Sequence, residues 1–225
     1  MNTILLIRHA QASAHAAHYD QLSELGYRQA DLLSQALAEI TPSAVFYGPR
    51  KRQLQTLERC MRPRWPTPER WEALDEYPAL EMLKHCLDQI AALAPHISED
   101  IKQVREHSGS AGAAYLPVLK EGARLWMSGA LQHPELEPYE AYQQRLKEIC
   151  QRVGRRASAP ILCFSSAGLI STLLSEILGG HAERSLGTAW SLYNTSISEL
   201  LFDDGLSVSA VNRIGHIPLE MRSFI

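Results

Sequence analysis

Apolar residues in this 225-residue chain fall into short unbroken runs that alternate with longer stripes at helical spacing. The runs Ile4-Leu5-Leu6-Ile7, Ala44-Val45-Phe46-Tyr47 and Ile161-Leu162-Cys163-Phe164 have the length and continuity of strands covered on both faces. After the first run, Leu32, Leu33, Ala36, Leu37 and Ile40 form a helical stripe, with Ser23 placed as its N-cap. The second run ends in Gly48-Pro49-Arg50 and turns into another helix. The third is followed by a helical stretch from Leu169 to Leu178. Strand, loop and helix in this repeated order predict an α/β fold, a three-layer sandwich whose mostly parallel sheet carries helices on both faces. Near the C-terminus, Ser196–Phe202, the turn Asp203-Asp204-Gly205 and Leu206–Val211 read as a hairpin.

The middle of the chain follows a different rule. Between about 78 and 157 the patterns are helical only, over Ala79–Leu93, Ser98–His107 and Tyr139–Val153. Breaks at Ser108-Gly109-Ser110-Ala111-Gly112 and His133-Pro134-Glu135 separate them. With no long linker and no internal repeat, residues 1–225 are expected to form a single domain with a helical insertion at 78–157. Tyr115, Trp126 and Tyr139 within it can line a pocket, although core packing is the simpler reading.

Chemistry concentrates at the strand ends, where open α/β sheets bind ligands. The first run delivers Arg8-His9-Ala10 and the second leads to Arg50-Lys51-Arg52. A guanidinium grips phosphoryl oxygens in pairs, and an imidazole can attack phosphorus. Read alone, the tripeptide is more simply a strand-end ion pair. Composition narrows the alternatives by exclusion. A net charge of −3 gives no support for a nucleic-acid partner, and the basic clusters at Arg50-Lys51-Arg52 and Arg152-Val153-Gly154-Arg155-Arg156 read as solvated helix ends, Arg52 apart. The four cysteines, Cys60, Cys86, Cys150 and Cys163, are widely spaced, as expected of reduced thiols in a cytoplasmic protein. His15, His18, His85, His96, His107, His133 and His181 match no metal-ligand spacing, so neither a metal nor another cofactor is expected. The chain runs directly into its first strand and has no apolar stretch of membrane-spanning length, so neither a secretion signal nor a membrane partner is expected.

Taken together, these segments resemble the histidine phosphatase superfamily, which includes cofactor-dependent phosphoglycerate mutases and many phosphomonoesterases. Arg8-His9-Ala10 after the first strand matches its opening signature, and Leu22 to Ala30 matches the helix start that follows. Arg52, three residues before Gln55-Thr56, matches its second signature. The resemblance implies that Arg8 and Arg52 bind a phosphoryl group and that His9 is the nucleophile. It also implies that the insertion forms a cap shaping substrate choice. Leu74-Asp75-Glu76-Tyr77 resembles the stretch carrying the general acid, favouring Glu76 with Asp75 as its nearest rival.

One departure stands out. Where the superfamily carries a second phosphate-binding histidine, this chain reads Ser165-Ser166-Ala167-Gly168. A hydroxyl donates one hydrogen bond but carries no charge, and loss of one preorganised donor commonly costs on the order of a hundredfold or more in rate. Ser166 keeps one hydrogen bond for the phosphoryl group, and the backbone N–H groups of Ala167 and Gly168 at the following helix start add to the anion site. His216, in Asn212-Arg213-Ile214-Gly215-His216, is expected to line the site and supply part of what Ser166 cannot; the alternative is a solvent-facing loop histidine. The reading is therefore a phosphomonoesterase acting on a small phosphorylated metabolite. The alternatives are a phosphate- or partner-binding pseudoenzyme and, further off, a phosphoglycerate mutase. An α/β-hydrolase is excluded by the missing Gly-x-Ser-x-Gly elbow. Oligomeric state stays open, a homodimer among the options.

Overall fold

A computed structural model describes residues 2–13, 20–106, 114–154, 160–180 and 187–224. The expected break at 108–112, the end of the Ser98–His107 helix, Arg155, Arg156, His15, His18 and His181 lie outside the described residues. The chain forms two compact units. One comprises 2–13, 20–76, 146–154, 160–180 and 187–224; the other comprises 77–106 and 114–145. The second unit overlaps the expected insertion but ends at 145, within a helix whose C-terminal half belongs to the first.

The first unit is built on a six-stranded sheet of β1 (Asn2–Arg8), β2 (Ala44–Tyr47), β3 (Glu69–Arg70), β4 (Ile161–Ser165), β5 (Ile197–Phe202) and β6 (Leu206–Arg213). Their order is β3-β2-β4-β1-β5-β6. The first four run parallel, and β5 and β6 close the sheet as an antiparallel hairpin. Helices α1 (Glu24–Ala36) and α2 (Lys51–Cys60) supply the crossovers between parallel strands. The apolar runs are continuous because both sheet faces are covered. On one face Leu5, Ile7, Val45, Leu162, Phe164 and Ile197 pack with Leu33 of α1, Leu37 at its C-terminal cap, and Leu57 and Cys60 of α2. Each such buried side chain contributes roughly 1.5–3 kcal/mol relative to exposure. The opposite face carries Phe46, whose ring lies 5.3 Å from that of Trp71 and 5.0 Å from the guanidinium of Arg152.

Strand register sets up the chemistry. Arg8 is paired with Ser165 across the β1–β4 ladder, so one residue further on His9 and Ser166 follow at adjacent strand ends, with strands about 4.8 Å apart. Ser23 caps α1 as its sequence position predicts, its hydroxyl accepting the Gly26 N–H at 2.9 Å. Gly26 is required there because a Cβ would lie 2.1 Å from the Gln11 carbonyl oxygen. From Ser166 the chain turns directly into α8 (Ala167–Ile177).

The second unit is helical: α3 (Ala79–His85), α4 (Leu87–Leu93), α5 (Ser98–Glu106), α6 (Tyr115–Met127) and the start of α7 (Tyr139–Gly154). The single helix expected over Ala79–Leu93 divides at Cys86, whose φ of −119° leaves the helical region. Helix α6 is absent from the sequence expectations. Pro117 lies in its first turn, where a missing N–H breaks no intrahelical bond. Its buried stripe of Val118, Leu119, Gly122, Ala123, Leu125 and Trp126 forms much of the unit's core. Trp126 is buried against Tyr139 and Tyr142, each at a ring-centroid distance of 5.2 Å in edge-on geometry, and donates to the Glu137 carbonyl at 2.7 Å. Among the described residues no helix is long and apolar enough to cross a membrane.

Candidate active site

The end of β1 is held by bonds from four directions. The His9 N–H donates to the Ser165 carbonyl at 2.9 Å, and the His9 carbonyl accepts from the Thr195 N–H at 3.3 Å and the Asn194 amide at 3.2 Å. The next N–H, that of Ala10, donates to Thr56 Oγ1 at 3.0 Å. Thr195 adopts φ of +60°, an unfavourable region for a β-branched residue, at a buried position beside the His9 backbone.

These restraints aim a defined imidazole. His9 Nδ1 lies 2.7 Å from the Ala10 carbonyl oxygen, and Nε2 lies 3.0 Å from Arg52 Nε. A carbonyl only accepts and a guanidinium only donates. The partners therefore define a neutral ring with its proton on Nδ1 and its lone pair on Nε2. Burial, followed by the positive charges of Arg52 and Arg8, holds the His9 pKa well below 6.5, while the bond to Ala10 opposes them.

Arg52 projects from the first turn of α2 and is buried. Besides His9 it meets the Asp20 carboxylate at 2.8 Å, and the other Asp20 oxygen accepts the Lys51 N–H at 2.7 Å. Arg8 is also buried, and its guanidinium donates to the carbonyls of Leu192 and Phe224. The C-terminal segment is tied to the same place. Tyr193 and Phe224 stack with centroids 4.1 Å apart, and Ser223 Oγ donates to Asn194 Oδ1 at 2.9 Å.

Gln53, next to Arg52, is fully buried and links three segments. Its Oε1 accepts the Arg50 N–H at 3.0 Å; its Nε2 donates to Ser166 Oγ at 2.8 Å and to the Leu74 carbonyl at 3.3 Å. Ser165 Oγ reaches the same carbonyl at 2.8 Å. Gly48 makes this junction sterically feasible, since a Cβ there would lie 2.3 Å from Gln53 Oε1 and 2.5 Å from the Leu74 oxygen.

After Leu74 the two acidic residues part ways. Asp75 pairs with Arg50 at 2.5 Å and accepts the Glu76 N–H at 2.7 Å. Glu76 Oε1 accepts the Leu169 N–H at 3.1 Å, in the first turn of α8. Ala167 and Gly168 are the first two residues of that helix, where N–H groups have no intrahelical acceptor. Ser166 is its N-cap residue by position, yet its side chain makes no capping bond.

The structure thus brings together His9 and Arg52 directly, and places Arg8, Ser166, Ala167 and Glu76 at the adjoining strand and helix ends. His216 is not among the side chains bonded to His9, Arg8, Arg52 or Ser166. It is hydrogen-bonded to the Thr195 backbone and lines a separate cavity of about 510 Å³ with Thr3, Leu5, Leu37, Ile40 and Ile197. Its Nε2 is buried without a hydrogen-bond partner among the described residues, and burial lowers its pKa. The sequence reading did not single out Asp20, Gln53, Asn194 or Thr195, nor the backbone carbonyls facing Arg8. Among the described residues no group of three or more His, Cys, Asp or Glu side chains is arranged to hold a metal ion.

Over residues 4–114 and 118–213 the sequence matches the histidine phosphatase superfamily (branch 1), and the chain belongs to that superfamily. A search of curated proteins finds no match. Solved structures with the same fold include a mycobacterial glucosyl-3-phosphoglycerate phosphatase in complex with VO3, at 18% identity and a TM-score of 0.60 over 94% of this chain and 99% of that one. A phosphoserine phosphatase from Entamoeba histolytica in complex with 3-phosphoglyceric acid has 16% identity and a TM-score of 0.60, covering 96% and 99%. A phosphoglycerate mutase from Bacillus anthracis has 15% identity and a TM-score of 0.62, covering 95% and 94%. At these identities the likeness establishes the fold. Superfamily membership makes the chain's relatives phosphatases and mutases.

Proposed function

We propose that this chain is a phosphomonoesterase that acts on a small phosphorylated metabolite through a phosphohistidine at His9. The observation that carries the reading is the His9 ring itself: buried and neutral, with Nδ1 tied to Ala10 and the Nε2 lone pair directed at a guanidinium. A phosphoryl group entering here takes over Arg52 from the Asp20 carboxylate and from His9 Nε2. It is held by Arg52 and Arg8, with Ser166 and the Ala167 N–H as further donors. Nε2 attacks in line, the N–P bond forms and the P–O bond to the alcohol breaks. Glu76 gives its proton to the leaving oxygen. Water then loses a proton to the Glu76 carboxylate and attacks phosphorus, releasing phosphate and restoring the imidazole. The arginines neutralise the charge that metal ions neutralise in nucleotide-dependent transfer, so no metal is part of this scheme. Free thiols at Cys60, Cys86, Cys150 and Cys163 support placement in a reducing, cytoplasmic compartment.

A second reading, phosphate binding without turnover, is favoured by Ser166 and by the commitment of Arg8 to two backbone carbonyls. Phosphate release from a panel of phosphomonoesters, including an aryl phosphate, separates the two. Turnover by the wild type that disappears in His9→Ala is the expected result. Retained phosphate binding with no turnover on any ester would replace the first reading by the second.

A further inference from the structure

We infer that Gln53 is a positioning residue that fixes the Ser166 hydroxyl as a hydrogen-bond donor to the bound anion, so that the two side chains act as one unit. The inference rests on the proposed phosphoryl site. Ser166 is fully buried at the end of β4, adjacent in register to His9. A serine at a helix N-cap ordinarily turns its oxygen onto a first-turn N–H. Here the Leu169 N–H is taken by Glu76 instead, and Ser166 Oγ accepts from Gln53 Nε2 at 2.8 Å. An oxygen whose acceptor site is occupied by a fixed amide N–H keeps its own O–H for donation. The amide cannot turn over without loss, because its Oε1 holds the Arg50 N–H and its second N–H faces the Leu74 carbonyl. Gln53 also follows Arg52 on α2 and grips the carbonyl immediately before Asp75 and Glu76. One carboxamide therefore sets the hydroxyl against the guanidinium on one side and the proposed acid on the other.

A double-mutant cycle on Gln53→Met and Ser166→Ala tests this, read out as orthovanadate affinity and as kcat and KM for an aryl phosphate. Each single variant is expected to weaken vanadate binding about tenfold or more and to lower kcat about a hundredfold, as loss of one preorganised donor does. The double variant is expected to be no worse than Ser166→Ala. Multiplying effects, or a Ser166→Ala variant with wild-type anion affinity, would overturn the inference. Wild-type protein that binds neither vanadate nor phosphate would overturn it as well. Vanadate affinity is measurable without turnover, so a protein that binds anions but hydrolyses nothing tests the pair even where the proposed phosphatase reading fails. If Gln53→Met does not fold, Gln53→Glu keeps the acceptor for Arg50 and withdraws the donor to Ser166. Its anion affinity must then fall in the Ser166 background more than in Ser166→Ala.

Discussion

The two units bury different kinds of residue. Among the described residues every buried polar or charged side chain, including Arg8, His9, Gln29, Arg52, Gln53, Thr56, Ser166, Asn194 and Thr195, lies in the sheet unit. The buried residues of 77–106 and 114–145 are hydrophobic, from Met82, Ile90 and Ile101 to Val118, Trp126 and Tyr142. Burying polar groups is costly unless each is hydrogen-bonded. A fold that buries Arg8, His9 and Ser166 around the ends of two adjacent strands, with Arg52, Gln53 and Thr56 of α2 bonded to them or to their neighbours, is carrying a cost that packing alone does not explain. The helical unit shows what the same chain builds where packing is the main demand: an apolar stripe on α6 and a ring cluster around one tryptophan.

The contrast predicts separate consequences for the two regions. Trp126→Ala removes the largest side chain of the helical core and strands the Glu137 carbonyl. It should cost about 3–5 kcal/mol, seen as a lower urea midpoint, while vanadate affinity of the folded fraction holds. A variant with wild-type stability would show that this cluster is not the centre of the unit's core. Arg52→Ala should do the converse. Phosphate release should fall about 10²–10³-fold, equivalent to about 2.7–4 kcal/mol of transition-state stabilisation. Turnover within tenfold of the wild type would remove Arg52 from the phosphoryl site.

Acid separates the units in a third way. His9 and His216 both have folded pKa values below the 6.5 of an unfolded chain, chiefly through burial. Protons therefore bind the unfolded state more readily, and stability rises with pH across this range. The contribution is fully present above about pH 6.5 and is lost as pH falls from there toward the lowered folded values. Urea midpoints should drop between pH 7.5 and 5.5, and His9→Asn should flatten the slope. An unchanged slope in that variant would mean that His9 is not held neutral in the fold. Turnover should persist below pH 6.5, because the free imidazole of His9 remains unprotonated there.

These contrasts also show what could be read from the sequence. Strand ends expected near Ile7, Tyr47 and Phe164 from unbroken apolar runs lie within one residue of the observed ones, and the α1 cap follows from Ser23, because these are local rules. His9, Arg52 and Glu76 were singled out as candidates through short motifs whose spacing is local too, and the contact between His9 and Arg52 is what the structure adds. Gln53 was not, since its partner Ser166 lies 113 residues away and a glutamine within a charged helix start carries no mark of burial. The carbonyls of Leu192 and Phe224 facing Arg8 were invisible for a simpler reason: backbone acceptors have no residue identity. Helix α6 escaped because Pro117 reads as a breaker until its first-turn position is known.

His216 offers the finest test of where the polar region ends. Its ring touches the Thr195 backbone, and the Thr195 N–H in turn holds the His9 carbonyl, so the ring reaches His9, the proposed nucleophile, only through a backbone it supports. Among the described residues its other nitrogen is buried without a partner, beside aliphatic side chains. Replacing the ring by phenylalanine removes that orphaned acceptor, a gain that offsets loss of the Thr195 bond, each being worth about 1 kcal/mol. His216→Phe should therefore change stability little and lower turnover no more than about fivefold, the equivalent of about 1 kcal/mol. A loss of anion affinity as large as that expected of Ser166→Ala would instead make His216 a direct phosphate ligand, and the polar site would extend past Thr195 into the neighbouring cavity.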